Sequence, residues 1–202
     1  MIKDAKIGVV ILAAGPSSRL GYAKQLVEFR GKSLLQHTID ISDSLAFDTK
    51  VLVLGASYNA IKEKINRKNF EIVMNNNWEE GMSTSIREGV FSSQEQKKDL
   101  DHILFLLSDQ PFLSKERIEE LIQVQLESKS PATFSKYAGT IGVPAIFSAK
   151  VFSHLKRLKG DEGAKKLIPD QKFNFQTVKF EQGNFDVDTA EDVELLKHLE
   201  EK

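Results

Sequence analysis

The stretch Ile7-Gly8-Val9-Val10-Ile11-Leu12 is apolar without alternation and stops at Ala13-Ala14-Gly15. Successive side chains of a strand point to opposite faces, so a strand with one wet face carries a polar residue at every second position. This run carries none, and both of its faces must be covered. Helices on either side of the sheet, reached by right-handed crossovers, provide that cover. The chain supplies the alternation. Ser33-Leu34-Leu35-Gln36 has capping-box spacing and predicts a helix toward Ser42, followed by a strand over 50–54. A helix over about 59–65, a strand over 71–74, a helix after Ser83 and a strand over 102–107 continue the pattern, with Ser85-Ile86-Arg87-Glu88 as a second capping box. Ser114 opens a helix to about Glu127 with Ile118, Leu121, Ile122 and Leu126 at helical spacing. Strand-like segments over 132–134, 145–147 and 174–178, a helix near 151–158 and a last helix over about 189–199 complete the reading. The expected class is α/β, with a mostly parallel central sheet flanked by helices. Ligands of such sheets bind at the carboxyl ends of the strands, where chemistry is therefore sought.

Two hundred and two residues, 41% of them hydrophobic, suit one domain over 1–202. There is no cysteine, which removes disulfides, thiolate metal sites and cysteine nucleophiles and leaves metals to oxygen or imidazole ligands. The histidines, His37, His102, His154 and His198, lack zinc-site spacing, and no Gly-x-Ser-x-Gly elbow is present. With 28 basic and 29 acidic residues the formal charge is -1, so no global basic field exists for nucleic acid or anionic membrane. The amino-terminal apolar run is too short for a signal segment and no stretch reaches a spanning length, so a cytoplasmic protein without membrane partners is expected. The polar stretch from Ser92 to Asp101 reads as a surface loop.

The loop after the first strand runs Leu12-Ala13-Ala14-Gly15-Pro16-Ser17-Ser18-Arg19-Leu20-Gly21-Tyr22-Ala23-Lys24. Small residues let backbone N–H groups approach phosphate oxygens, and Arg19 and Lys24 can neutralise charge that develops during group transfer. It matches neither standard phosphate loop: Ser17 stands where a Rossmann fingerprint needs its second glycine, and Leu26 stands where a Walker A loop ending at Gly31-Lys32-Ser33 needs its first. A glycine- and serine-rich turn with two solvated cations is the plain alternative.

The full string Leu-Ala-Ala-Gly-x-Ser-Ser-Arg-x-Gly-x-x-Lys resembles the signature of the MobA-like nucleotidyltransferases, the family of the molybdenum cofactor guanylyl- and cytidylyltransferases. Further segments agree in order along the chain. Asn76-Asn77-Trp78-Glu79-Glu80-Gly81-Met82-Ser83-Thr84-Ser85 is similar to the family segment near the nucleotide base, and Ser108-Asp109-Gln110-Pro111-Phe112-Leu113 to its Gly-Asp-Gln-Pro-Phe-Leu element. Gly142-Val143-Pro144 and Gly160-Asp161-Glu162-Gly163-Ala164 resemble paired substrate-side elements, and Phe185-Asp186-Val187-Asp188-Thr189-Ala190-Glu191-Asp192 the terminal acidic box. The departures are Pro16, Ser108 in place of Gly and Ala190 in place of Pro, and none removes a charge.

The resemblance implies a Rossmann-like fold and nucleotidyl transfer. It implies catalytic roles for Lys24, Arg19 and Asp109, with nucleotide contacts from Leu12, Ala13, Ala14, Gly15, Ser18, Arg19, Lys24, Gly81, Met82, Ser83 and Ser85. Gly142, Pro144, Gly160, Asp161 and Gly163 fall on the acceptor side, and Asp109 and Asp188 hold Mg²⁺. The Ala13-Ala14-Gly15 loop, the Asp109-Gln110-Pro111 element and the double aspartate lie nearer the cytidylyl than the guanylyl members, which implies CTP rather than GTP; guanylyltransferases and sugar- or other metabolite-phosphate nucleotidyltransferases of the same fold are the alternative. The implied acceptor is a molybdopterin-type cofactor, and the implied partner, met in transient contact, is a recipient molybdoenzyme of the xanthine dehydrogenase type or its chaperone. The residues alone leave other readings open. Asp109 is also a plausible turn residue before Pro111, and Asp188 a plausible N-cap with Glu191 three residues on. Trp78 reads as packing. Asp186 shares a face with Asp188 and is the weaker ligand. Asp186-Val187-Asp188 also suits a glycosyltransferase, and a cofactor-carrying chaperone would keep the pocket without turnover.

Overall fold

The computed structural model describes residues 5–167 and 174–200. In chain order the elements are β1 (Ile7–Ala13), a small hairpin of β2 (Glu28–Phe29) and β3 (Lys32–Ser33), α1 (Leu34–Asp43), β4 (Thr49–Leu54), α2 (Tyr58–Lys64), β5 (Glu71–Met74) and α3 (Met82–Gln96). There follow β6 (His102–Leu107), α4 (Lys115–Ser128), β7 (Ala132–Tyr137), β8 (Thr140–Ser148), α5 (Phe152–Leu155), β9 (Phe175–Lys179) and α6 (Ala190–Glu200). One 7-stranded sheet has the order β5-β4-β1-β6-β8-β7-β9. Its first four strands are parallel, and β9 is parallel to β7; β8 alone runs against both of its neighbours. The expected mostly parallel α/β architecture is present.

Every residue of β1 is buried. Val10 and Leu12, with Val51, Val53, Ile103 and Phe105, pack against Ile86 and Val90 of α3. Val9 and Ile11, with Leu52, Leu54, Leu104 and Leu106, face Leu35 and Ile39 of α1, Ile61 of α2, and Ile118 and Ile122 of α4. The period of two in the strands thus sorts one apolar run into two cores. α3 approaches β1 closely at Gly89, where a Cβ would lie 2.5 Å from Val10 Cγ1.

The chain moves outward from β1 to β4 and β5, then returns to the other side of β1 for β6. This reversal leaves a crevice above the carboxyl ends of β1 and β6, the place where open α/β sheets bind ligands.

Local chemistry explains most boundaries. The Ser33 hydroxyl accepts from Gln36 N at 3.2 Å and the Ser114 hydroxyl from Arg117 N at 3.3 Å, capping α1 and α4 as expected. Three expectations need correction. α3 begins at Met82 behind Gly81, so Ser85 lies in its first turn and caps nothing; its hydroxyl accepts from Asn75 Nδ2 at 2.9 Å. The same helix continues to Gln96, and Ser92 and Ser93 are buried on it rather than looped out, because serine is small enough to pass beneath a packed helix face. The helix expected near 151–158 is confined to α5 after a 3-10 turn, Ala149–Val151. The hairpin of β2 and β3 turns through Arg30 and Gly31, and that of β7 and β8 through Ala138 and Gly139, all with positive φ as such tight turns require. Among the described residues no helix is long and apolar enough to cross a membrane.

Phe147, fully buried on β8, meets Phe105 and Phe134 edge to face at centroid distances of 5.9 and 5.3 Å. Phe147→Ala is expected to cost about 3–5 kcal/mol of unfolding free energy, read from the urea midpoint at unchanged slope.

Candidate active site at the carboxyl ends of β1 and β6

The loop leaving β1 is held from inside by a side chain that the sequence motif does not mark. Gln25 is buried and donates from Nε2 to the carbonyls of Ala13 (3.0 Å) and Gly15 (3.2 Å). Ser17, at φ 53, folds the loop back: its carbonyl accepts from Leu20 and Gly21, and its hydroxyl accepts from Lys24 N at 3.0 Å. These bonds set Gly15 at the mouth of the crevice and send the Lys24 side chain into it.

There the Lys24 ammonium lies 2.5 Å from Asp109 Oδ2 and 2.6 Å from Asp188 Oδ1. Arg19 Nη2 reaches Asp188 Oδ2 at 2.6 Å from a more exposed position. Burial by itself lowers the pKa of Lys24, but the charges and hydrogen bonds of Asp109 and Asp188 outweigh it and hold the ammonium above the ordinary lysine range. Asp188 is pulled the other way. Burial would raise its pKa, yet Lys24 and Arg19 keep it below the usual carboxylate value. For Asp186 the balance falls the other way: burial, then the neighbouring charge of Asp109, outweigh the Gln110 hydrogen bond and the charge of Lys24 and push it up to about 6. Asp109 Oδ1 and Asp186 Oδ1 are both buried without a hydrogen-bond partner.

The N-cap reading of Asp188 fails in a specific way. Thr189 caps α6 instead, exchanging bonds with Asp192: Thr189 Oγ1 accepts from Asp192 N at 3.2 Å, while Asp192 Oδ2 accepts from Asp188 N and Thr189 N at 3.0 and 2.8 Å. The Asp188 carboxylate is therefore released toward the cations. Val187, between the two aspartates, is fully buried among Val27, Phe29, Leu34, Val193 and Leu196, and its N–H donates to the Asp109 carbonyl at 3.1 Å. That apolar anchor turns Asp186 and Asp188 to the crevice together, so Asp186 belongs to the acidic group.

Among the described residues no preassembled group of three or more His, Cys, Asp or Glu side chains holds a metal geometry. A Mg²⁺ ion needs less, because it keeps several waters and takes one or two carboxylates plus phosphate oxygens. Asp109, with one buried oxygen unpartnered, and Asp188 are hard oxygen donors of that kind, and the all-oxygen set suits such an ion.

The rest of the cleft, whose volume is about 390 Å³, is lined mostly by uncharged residues, with Asp161 beside Gly81. Ala14, Trp78, Gly81, Met82 and Ser85 line it. Asn75, fully buried, ties the turn before α3 to its first residues by donating to Thr84 Oγ1 at 2.8 Å and to Ser85 Oγ, and its Oδ1 accepts from Asn77 N at 3.0 Å. Gly81, at φ 108, is required here, because a Cβ would fall 2.4 Å from the carbonyl carbon of Gly160. Trp78 both packs on the core and lines the cleft, so its reading as packing alone was incomplete.

A second cavity, about 520 Å³, adjoins the cleft and shares Met82, Leu107 and Asp161 with it. Gly142 and Gly163 line it beside Phe134 and Tyr137. Burial, then Asp186, pushes the Tyr137 hydroxyl up to about 12, which keeps it neutral, and it donates to the Val143 carbonyl at 3.3 Å.

The structure thus brings Leu12, Ala13, Ala14, Gly15, Arg19, Lys24, Gly81, Met82, Ser85, Asp109, Asp161 and Asp188 to one cleft. It does not bring Ser18, Ser83, Pro144 or Gly160 to the lining of either cavity. Ser83 is buried and its N–H donates to the Gly160 carbonyl at 3.1 Å, while the Pro144 carbonyl accepts from Ser135 Oγ at 2.8 Å; these residues hold walls instead of facing the space. Gln25, Asn75 and Gln110 were missed. Gln110 Nε2 donates at 3.1 Å to the carbonyls of both Val143 and Gly183, joining the two cavities' frames. Gln25 and Asn75 are amides one residue outside quoted motifs, and Gln110, inside the Ser108–Leu113 element, was given no role of its own.

Comparison with known proteins agrees with this geometry. The profile of the MobA-like NTP transferase domain matches residues 9–175. Purine catabolism protein PucB of Bacillus subtilis (strain 168) is 29% identical over 201 residues, covering 93% of this chain and 94% of PucB. The crystal structure of Rv0371c from Mycobacterium tuberculosis H37Rv superposes with a TM-score of 0.81 at 28% identity, covering 98% of this chain and 99% of that one. A further structure of Rv0371c is a complex with manganese, with a TM-score of 0.78 at 27% identity, covering 95% of this chain and 98% of that one. A probable molybdenum cofactor guanylyltransferase of Pyrococcus horikoshii is 27% identical over 134 residues, 66% of this chain and 64% of its own length. Taken with the cation-bearing loop after β1 and the carboxylates that meet it, the profile match over most of the chain establishes that this protein belongs to the MobA-like NTP transferase family of nucleotidyltransferases.

Proposed function

We propose that this protein transfers a cytidylyl group from CTP to the terminal phosphate of a molybdopterin-type cofactor and releases pyrophosphate. The observation that carries the reading is the Lys24 ammonium, fixed between Asp109 and Asp188 and next to Arg19, in a cleft whose other walls are mostly uncharged. The cations suit a triphosphate, and the uncharged walls of Ala14, Trp78, Gly81, Met82 and Ser85 suit a base.

In the proposed reaction an oxygen of the acceptor phosphate attacks the α-phosphorus, the bond from that phosphorus to the bridging oxygen of the β-phosphate breaks, and pyrophosphate leaves. No electron changes hands. The protein's work is positioning and charge stabilisation. Lys24 exchanges its carboxylate partners for phosphate oxygens, and Arg19, on the exposed rim, neutralises the departing pyrophosphate. Backbone N–H groups of the loop held by Gln25 cradle the phosphates. Asp109 and Asp188 would hold Mg²⁺, which supplies neutralisation of the triphosphate when bound. The adjoining cavity, apolar along Phe134, Tyr137 and Val143, takes the acceptor, with Asp161 at the junction.

The choice of CTP rests on Ala13-Ala14 in the loop and on the double aspartate before α6. The reading for GTP has one observation behind it, the likeness to the Pyrococcus horikoshii protein. The chain acts in the cytoplasm as one domain over 1–202, and its product goes to a molybdoenzyme of the xanthine dehydrogenase type, in keeping with the name of the Bacillus relative. A chaperone without turnover would tolerate the loss of Lys24 or Asp109, and both are present.

The deciding experiment measures pyrophosphate release from CTP, GTP, ATP and UTP with Mg²⁺ and molybdenum cofactor. CTP is expected to be preferred; preference for GTP overturns the base, and no release from any of them overturns the activity. Lys24→Ala is expected to lower turnover by about 10²–10³-fold, the usual effect of losing one group that stabilises developing charge, while retaining cooperative unfolding. In Asp109→Asn and Asp188→Asn, a titration of Mg²⁺ should no longer restore activity after chelation, whereas the wild-type protein recovers fully.

A further inference from the structure

The part of the cleft walled by Ala14 and Trp78 is shaped by a residue that does not line it. Gly55 follows β4 directly, and its φ lies outside the left-handed region, so the backbone does not demand glycine there. What the glycine provides is room. A Cβ at residue 55 would lie 2.7 Å from the Ala14 carbonyl oxygen, 2.8 Å from Ala14 Cβ and 2.9 Å from Trp78 Cβ. All three atoms belong to the backbone or attach directly to it, so no rotamer change relieves the overlap. Either the loop after β1 or the turn carrying Trp78 has to move.

Neither segment is free to move without loss. The Ala14 carbonyl accepts from Ala56 N at 3.1 Å, and Gln25 grips the carbonyls on either side of it. The turn of Trp78 is tied down by Gly81 N, which donates to the Trp78 carbonyl at 3.1 Å, and by Thr84 Oγ1, which donates to the Asn77 carbonyl at 3.1 Å. Ala14 and Trp78 are two walls of the same cleft, and both rest on the bare Cα of Gly55.

We infer that Gly55 is a positioning residue: by letting Ala14 and Trp78 close on each other it sets the width of the nucleobase slot, and with it the affinity for one-ring over two-ring nucleotides. This rests on the reading of the cleft as a nucleoside triphosphate site.

Trp78 is the single tryptophan of the chain, so its emission reports on the slot directly. CTP and GTP, each with Mg²⁺, are titrated into the wild-type protein, Gly55→Ala and Ile39→Val, the last a mild core change on the opposite side of the sheet. Gly55→Ala is expected to weaken binding of the preferred nucleotide about tenfold or more and to raise KM more than it lowers kcat, as loss of ground-state positioning does. Ile39→Val should bind as the wild type does. Trp78→Ala, followed by calorimetry, should narrow the ratio of CTP to GTP affinities, and it carries the test if Gly55→Ala does not fold. Wild-type affinity and an unchanged CTP to GTP ratio in Gly55→Ala overturn the inference, as does an unchanged ratio in Trp78→Ala. If the wild-type protein binds no nucleoside triphosphate, the functional reading itself falls and this inference with it.

Discussion

The Lys24 ammonium held between Asp109 and Asp188 is the interaction on which the site depends. It joins three segments far apart in the chain: the loop after β1, the end of β6 and the stretch before α6. It is a poor stabilising device, because removing an ammonium and two carboxylates from water costs much of what their attraction returns. Asp186 shows the cost plainly. It faces the same crevice without a cation of its own, and burial with the charge of Asp109 pushes its pKa up to about 6. An arrangement that is costly for folding and leaves carboxylate oxygens unpartnered is better explained by what it binds.

The sheet makes that meeting possible. Parallel strands put all of their carboxyl ends on one edge, and the reversal of direction at β1 opens the edge into a crevice. The last acidic segment is brought there by apolar packing: Val187, in a small core with Val27, Phe29 and Leu34, fixes the rotation that turns Asp186 and Asp188 inward. A hydrophobic contact thus aims two charges.

Much of this was legible along the chain because it depends on period and spacing. The unbroken apolar run of β1, the caps at Ser33 and Ser114 and the helical stripe of α4 are local patterns with local causes. The errors arose where a local pattern had two outcomes. Ser92 and Ser93 read as loop because serine favours turns, yet on α3 they are the small residues that let a helix face pack. Asp188 has N-cap chemistry, but Thr189 one position later takes the cap with Asp192 as its partner, and only the bend of the chain decides between them. Gln25 and Asn75 carry no signal of their own, and Gln110, though inside a matched element, carries none for its role as a brace. An amide becomes a brace only once tertiary structure surrounds it with unpaired backbone groups that need partners.

What the sequence determined by itself is the class of fold and the chemical inventory: strands buried on both faces, helices to cover them, no cysteine, and a cation-bearing loop placed just after the first strand. These follow from side-chain periodicity and residue type, which need no neighbours to be read. Only the tertiary structure decided that Lys24 lies between two particular carboxylates, that Ser18, Ser83, Pro144 and Gly160 stand outside the lining of the cavities, and that Gly55 carries the weight of two walls. Those are distances between residues remote along the chain, and they exist only after both cores of the sheet have closed and fixed how the strand ends stand against one another.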